Sequence, residues 1–152
     1  MLLFGRTRSR RGLASALIGE IAAVIDGMER FEEVRKLEDM ETGAVENLGE
    51  LGTFTLPRFS VYESNADRLD LFDPALQRQI AYFFTCAGSL AGHLHALAST
   101  RKEATELCKQ HAIDAQKEIN GLAQLGEDLL RDLRKLVSKK QPTTIPTVRF
   151  WS

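Results

Sequence analysis

Residues 74–97 carry the most constraining pattern in the chain. Leu76, Ile80, Phe83, Ala87, Leu90, Leu94 and Leu97 follow one another at steps of 4, 3, 4, 3, 4 and 3 without a fault. At 3.6 residues per turn such positions fall on one narrow face of a helix, whereas on a strand they would scatter over both faces. A face this apolar has to be covered, and its spacing is that of a seam packed against other helices. Asp73-Pro74 opens the segment well: the aspartate can accept free backbone N–H groups, and proline at the first helical position costs no hydrogen bond.

Two further segments have the same period. From Gly12 to about Met40, Leu17, Ile21, Val24, Met28 and Phe31 form one face, widened by Ile18, Ile25 and Val34. Glu29, Arg30, Glu32 and Glu33 then make the solvated side, and Thr42-Gly43 supplies a C-terminal cap. The last helix buries Ala104, Cys108, Ala115, Ile119, Leu122, Leu129, Leu133 and Leu136 and ends before Pro142. Thr100 and Glu103 form a capping box that starts it after a turn near Ala98–Thr100. One unbroken helix from 74 to 139 is the competing reading, since neither Gly nor Pro interrupts residues 93–120.

Between the first two helices, residues 44–72 lose the helical period. Gly49, Gly52 and Pro57 punctuate a strip containing Phe54, Leu56, Phe59 and Val61, which reads as partly extended and packed. Ser64 followed by Asp67 predicts one capped helical turn through Leu71. The fold class is therefore all-α, an elongated three-helix bundle with a long, partly extended connection between helices 1 and 2. Residues 1–11 form a basic arm, 12–140 the helical bundle domain and 141–152 a flexible C-terminal tail. Helices of about 30, 25 and 38 residues span roughly 45, 38 and 57 Å. The connection is long enough to bring the chain back to its starting end, so helices 1 and 2 are expected to run parallel, helix 3 to return, and the basic residues of the N-terminus and of the end of helix 3 to meet at one pole.

A chain of 152 residues with 43% apolar content can bury a core without disulfide or metal. It holds no apolar run of 18 residues, so as written it does not span a membrane. The net charge of -1 hides opposed blocks. Residues 1–19 have Arg6, Arg8, Arg10 and Arg11 and no acid; residues 20–50 have ten acids against three bases; Arg131, Arg134, Lys135, Lys139 and Lys140 gather at the end of the last helix. Such blocks speak to partners more than to fold.

Patterns of catalysis are missing: there is no glycine-rich phosphate loop, nucleophile elbow or H-E-x-x-H. His93 and His95 stand about 200° apart on a helix and cannot share a metal. Cys108 and His111 have metal-compatible i, i+3 spacing, but they are two ligands on an apolar stripe, and a core thiol beside a hydrogen-bonded histidine accounts for them better. The Glu-x-x-His signature of di-iron bundles does not occur. Tyr62, Glu63, Asn65, Asp67 and Arg68 are the one polar cluster between apolar stretches. It is either an interaction surface or a turn in which Asn65 and Asp67 bond local backbone and Arg68 pairs with an acid.

The arginine arm follows Leu2, Leu3 and Phe4, an order like the cytoplasmic flank of a membrane helix. It flanks such a helix missing from this chain, touches anionic lipid itself, or serves as a solubilising N-terminus. The net charge, the acidic first helix and the lack of a stacking platform argue against nucleic acid. Export is disfavoured because Glu20 interrupts LASALIGEIAAVI and no small-residue cleavage site precedes Asp26.

Taken together, RRGLASALIGEIAAVID, VYESNADRLDLFDPALQRQIAYFFTCAGSL and LGEDLLRDLRKL resemble a group of uncharacterised bacterial proteins in which one N-terminal membrane helix precedes a small cytoplasmic helical domain. The resemblance implies a membrane-proximal domain and transfers no functional residue. The chain departs from it in lacking the membrane helix. The expectation is a non-enzymatic interaction or scaffold module at the inner face of the plasma membrane. No catalytic residue, cofactor or metal is assigned, and no small-molecule substrate. Arg6, Arg8, Arg10 and Arg11 are its lipid-contacting candidates, and a protein partner or self-association is expected. The alternatives are a small enzyme or metal protein using Cys108, His111 and the Tyr62–Arg68 turn, and a nucleic-acid accessory factor using Arg131–Lys140.

Overall fold

All seven seam positions from Leu76 to Leu97 are buried in the computed structural model. It describes residues 10–42, 56–99 and 105–138, except for the side chains of residues 34–42, 98–99, 105 and 108. Helix α1 spans Arg10–Thr42, α2 Ser60–Asn65, α3 Pro74–Ser99 and α4 Thr105–Ser138, with a 3-10 turn at Ala66–Leu71. The predicted Thr100–Glu103 capping box, Gly43, Phe54, Ala104, Pro142 and Arg6 and Arg8 lie outside the described residues.

Each long helix buries the face its period predicts. In α1 this is Leu13, Leu17, Ile21, Val24, Met28 and Phe31. In α4 it is Ala112, Ala115, Ile119, Leu122, Gly126, Leu129 and Leu133, a second unbroken 3–4 seam that includes a glycine. Leu136 packs against the core while half-buried. At the start of α3, Asp73 Oδ1 accepts the Leu76 N–H at 2.9 Å and the Asp73 carbonyl accepts the Gln77 N–H at 3.0 Å, which is the predicted cap.

Helix α4 is the hub of the molecule. Both α1 and α3 pack along it, while the backbones of α1 and α3 approach each other little. On α1, Ile25 lies at the level of Gly126 and Glu32 at the level of Gln116. On α3, Phe83 lies at Gly126 and His93 at Glu118. Each of these helices therefore runs opposite to α4 and in the same sense as the other, which excludes one continuous helix from 74 to 139.

Three sequence expectations change. The connection is helical and not extended at Ser60–Asn65, while the helical turn expected through Leu71 is present as the 3-10 turn Ala66–Leu71, so the described residues form four helices where three were expected. The Ser64–Asp67 cap does not form: the 3-10 turn has no side-chain cap, and helical structure starts earlier, at Ser60. The physical reason is a contact from outside the segment. Glu20, buried on α1, accepts the N–H of Val61 at 2.9 Å and of Tyr62 at 2.8 Å, groups that have no partner inside their own helix. Finally, Arg10 and Arg11, assigned to the arm, form the first residues of α1.

Candidate functional site

The Tyr62–Arg68 cluster is drawn into packing more than into a site. Between α1 and α3, the Tyr62 ring stacks on Phe84 with centroids 4.4 Å apart and planes 10° from parallel. Phe59 and Phe83 meet the same Phe84 ring edge-on, at 5.4 and 5.2 Å. Asn65 Nδ2 donates to the Val61 carbonyl at 2.8 Å, which is the local backbone bond expected of it. Glu63 and Asp67 are exposed and Arg68 is half-buried. Among the described residues no ion pair involves Arg68, so the expected partner acid is not found. No hydrogen bond or ion pair joins any two of the five side chains.

A second polar group forms where α3 faces α4. Glu118 receives the Ser89 hydroxyl on Oε1 at 2.7 Å and His93 Nδ1 on Oε2 at 2.9 Å. Residue types familiar from hydrolases meet here in an order that does not activate the hydroxyl. In a triad the imidazole stands between serine and carboxylate and takes the hydroxyl proton. Here the carboxylate stands between the other two and each bonds it separately. The arrangement ties two helices together across 25–29 positions of sequence.

Along the same α3 stripe, one to three turns earlier, lie Tyr82 and Cys86. Tyr82 is 63% exposed, and Cys86 is a half-buried free thiol. A hydrogen bond to the Cys86 side chain, then the thiolate charge, then slight desolvation push the Tyr82 phenol above its ordinary 10.0. The stripe Tyr82, Cys86, Ser89, His93 follows steps of 4, 3 and 4 and was legible in the sequence, where only the apolar seam beside it stood out.

No three His, Cys, Asp or Glu side chains among the described residues are placed to hold a metal ion. The Cys108 side chain lies outside the described residues. His111 is half-buried and its Nδ1 has no partner among them, which corrects the expectation of a hydrogen-bonded core histidine. Glu32, placed on the solvated face of α1, instead accepts from Gln116 Nε2 of α4 at 2.8 Å, and the same amide donates to Asn120 Oδ1 at 2.9 Å.

At the pole where α1 begins, Arg10 and Arg11 are exposed, and α4 presents exposed Arg131, Arg134 and Lys135 at its end. The antiparallel order of α1 and α4 brings these to one end of the molecule. Asp128 holds Arg131 at 3.1 Å, so the α4 contribution rests on Arg134 and Lys135. Nearby, a cleft of about 340 Å³ lies between Asp73, Leu76 and Gln79 of the α3 start and Asp132, Lys135 and Leu136 of α4. Its one base and two acids make no convergent anion or cation site. No described helix is long and apolar enough to cross a membrane. Comparison of the chain with family models, with curated proteins and with solved structures gives no match.

Proposed function

We propose that the chain is a non-enzymatic helical interaction module, an elongated bundle whose basic pole docks on the anionic, cytoplasmic face of a membrane. The observation that carries this reading is the shared pole of exposed Arg10, Arg11, Arg134 and Lys135. Basic residues next to an anionic bilayer contribute about 1 kcal/mol each, and the attraction fades within a Debye length. A pole that gathers bases from two helices can therefore bind a surface that neither would hold alone, and Arg6 and Arg8 precede Arg10 in the sequence. The Glu118-centred cluster supports the non-catalytic part, because its hydroxyl donates to the carboxylate and not to the imidazole that takes the proton in a triad.

Co-sedimentation with vesicles rich in anionic lipid tests the reading. Replacing Arg6, Arg8, Arg10 and Arg11 together by Ser is expected to lower bound protein at least tenfold at low salt. Binding to zwitterionic vesicles is expected to be negligible for both proteins. Equal sedimentation of both with the anionic vesicles would overturn the proposal.

A further inference from the structure

Residues Leu56–Leu71 are held on the molecule differently from everything they touch. Neither α2 nor the 3-10 turn contains a buried residue, whereas α1, α3 and α4 each contribute a full row to the core. The segment lies beside α1 and α3, and Leu56, Phe59, Val61, Tyr62 and Leu69 pack half-buried against the core without entering it. Leu56 rests on Gly27, where an added Cβ would stand 3.2 Å from Leu56 Cδ2, so the missing side chain is what admits it. Phe59 and Tyr62 lie on Phe84. Glu20 takes the two N–H groups that open α2. At the far end, buried Phe72 and the Asp73 cap fix the chain to the start of α3.

Segments with little buried apolar area open at lower free energy than the core they cover. Here the polar part of the hold is concentrated in one side chain. Glu20 is only 8% exposed, and both of its bonds are charge-assisted and go to the segment. We propose that Leu56–Leu71 is a strap that opens and closes as a unit on the α1, α3 and α4 frame, with Glu20 as its catch and Phe72 as its pivot. Opening uncovers the Phe84 face on which two strap rings rest; closing hides it.

Hydrogen exchange of the full chain, read by mass spectrometry, tests this. In the wild type, strap amides are expected to exchange at least tenfold faster than those of Ile80–Leu97 and Ala115–Leu133. Glu20→Gln is expected to speed the strap at least tenfold more and to leave those frame segments within twofold. Gly27→Leu, which pushes at Leu56 while favouring the α1 helix, is expected to act in the same direction on the strap alone. Equal acceleration of strap and frame in Glu20→Gln would show that the strap is part of the frame's cooperative unit and overturn the proposal. No acceleration anywhere would remove Glu20 as the catch. If Glu20→Gln does not fold, equal protection of strap and frame in the wild type overturns the idea by itself.

Discussion

Gly126 shows how one residue sets the distance between helices. A Cβ there would stand 2.9 Å from Ile25 Cδ1 and 3.0 Å from Phe83 Cε2, so α1 and α3 both reach α4 at the point where it has no side chain. Overpacking of this kind costs about 1–3 kcal/mol, while replacing a mid-helix glycine by alanine returns about 1 kcal/mol of propensity. Gly126→Ala is therefore expected to destabilise the protein by roughly 1 kcal/mol, because the Phe83 ring is locked in the core and cannot give way as the Ile25 methyl can. Gly121 on the same helix has open space around it, so Gly121→Ala is expected to stabilise by up to about 1 kcal/mol. Urea denaturation of the two variants gives shifts of opposite sign if packing at Gly126 is as described. Tyr82 allows a second check, by ultraviolet titration in a Tyr62→Phe background that leaves it the one tyrosine. Its phenol is expected to ionise above 10.0, and Cys86→Ala to bring it back toward that value. Because the folded-state pKa is raised, the contribution to stability is complete below pH 10 and lost as pH rises through the folded value. Of the residues that matter most, Gly126 and Glu20 were the least legible. A glycine in a helical run and an acid in an apolar one read as interruptions, and only their neighbours from other helices show what they do.

At the level of elements, legibility follows the distance over which each is stabilised. Helix α3 could be read from its seam and from Asp73-Pro74, since cap and period act within a few residues. Asp73→Ala is expected to cost about 1 kcal/mol, with a lower urea midpoint and an unchanged slope, because it leaves the Leu76 N–H without its acceptor. Helix α1 was likewise legible apart from its start, where Arg10 and Arg11 are helical instead of part of an arm. Helix α2 was not legible. Its N-cap residue Phe59 makes no side-chain cap, and the acceptor that replaces it comes from Glu20, 41 and 42 positions earlier. Without that acceptor the segment's glycines, its one proline and its scattered aromatics look like an extended strip. The polar cluster Tyr62–Arg68 stands out in the sequence by its position between apolar stretches, and the structure uses Tyr62 as a packing ring and Asn65 as a local bond.

For the whole molecule, the decisive relation is that α1 and α3 both run opposite to α4. It follows from the pairs Ile25–Gly126, Glu32–Gln116 and His93–Glu118, and it puts the bases of two distant segments at one pole. The vesicle experiment belongs to this scale: exposed bases separated at opposite ends would bind an anionic surface weakly, and gathered ones act together. The sequence alone determined that the chain is helical and which side of each long segment is buried, and it left open whether residues 74–139 form one helix or two. Those properties rest on backbone hydrogen bonds and apolar spacing within a few turns, which any reader of the chain can count. Only the tertiary structure decided that α4 is the shared partner, that Glu118 and Gln116 bridge helices, and that Glu20 turns a connecting segment into a helix. A seam states that a face will be covered without naming what covers it, because apolar packing is nondirectional. Hydrogen bonds between residues 25–84 positions apart exist only once the chain has brought them together.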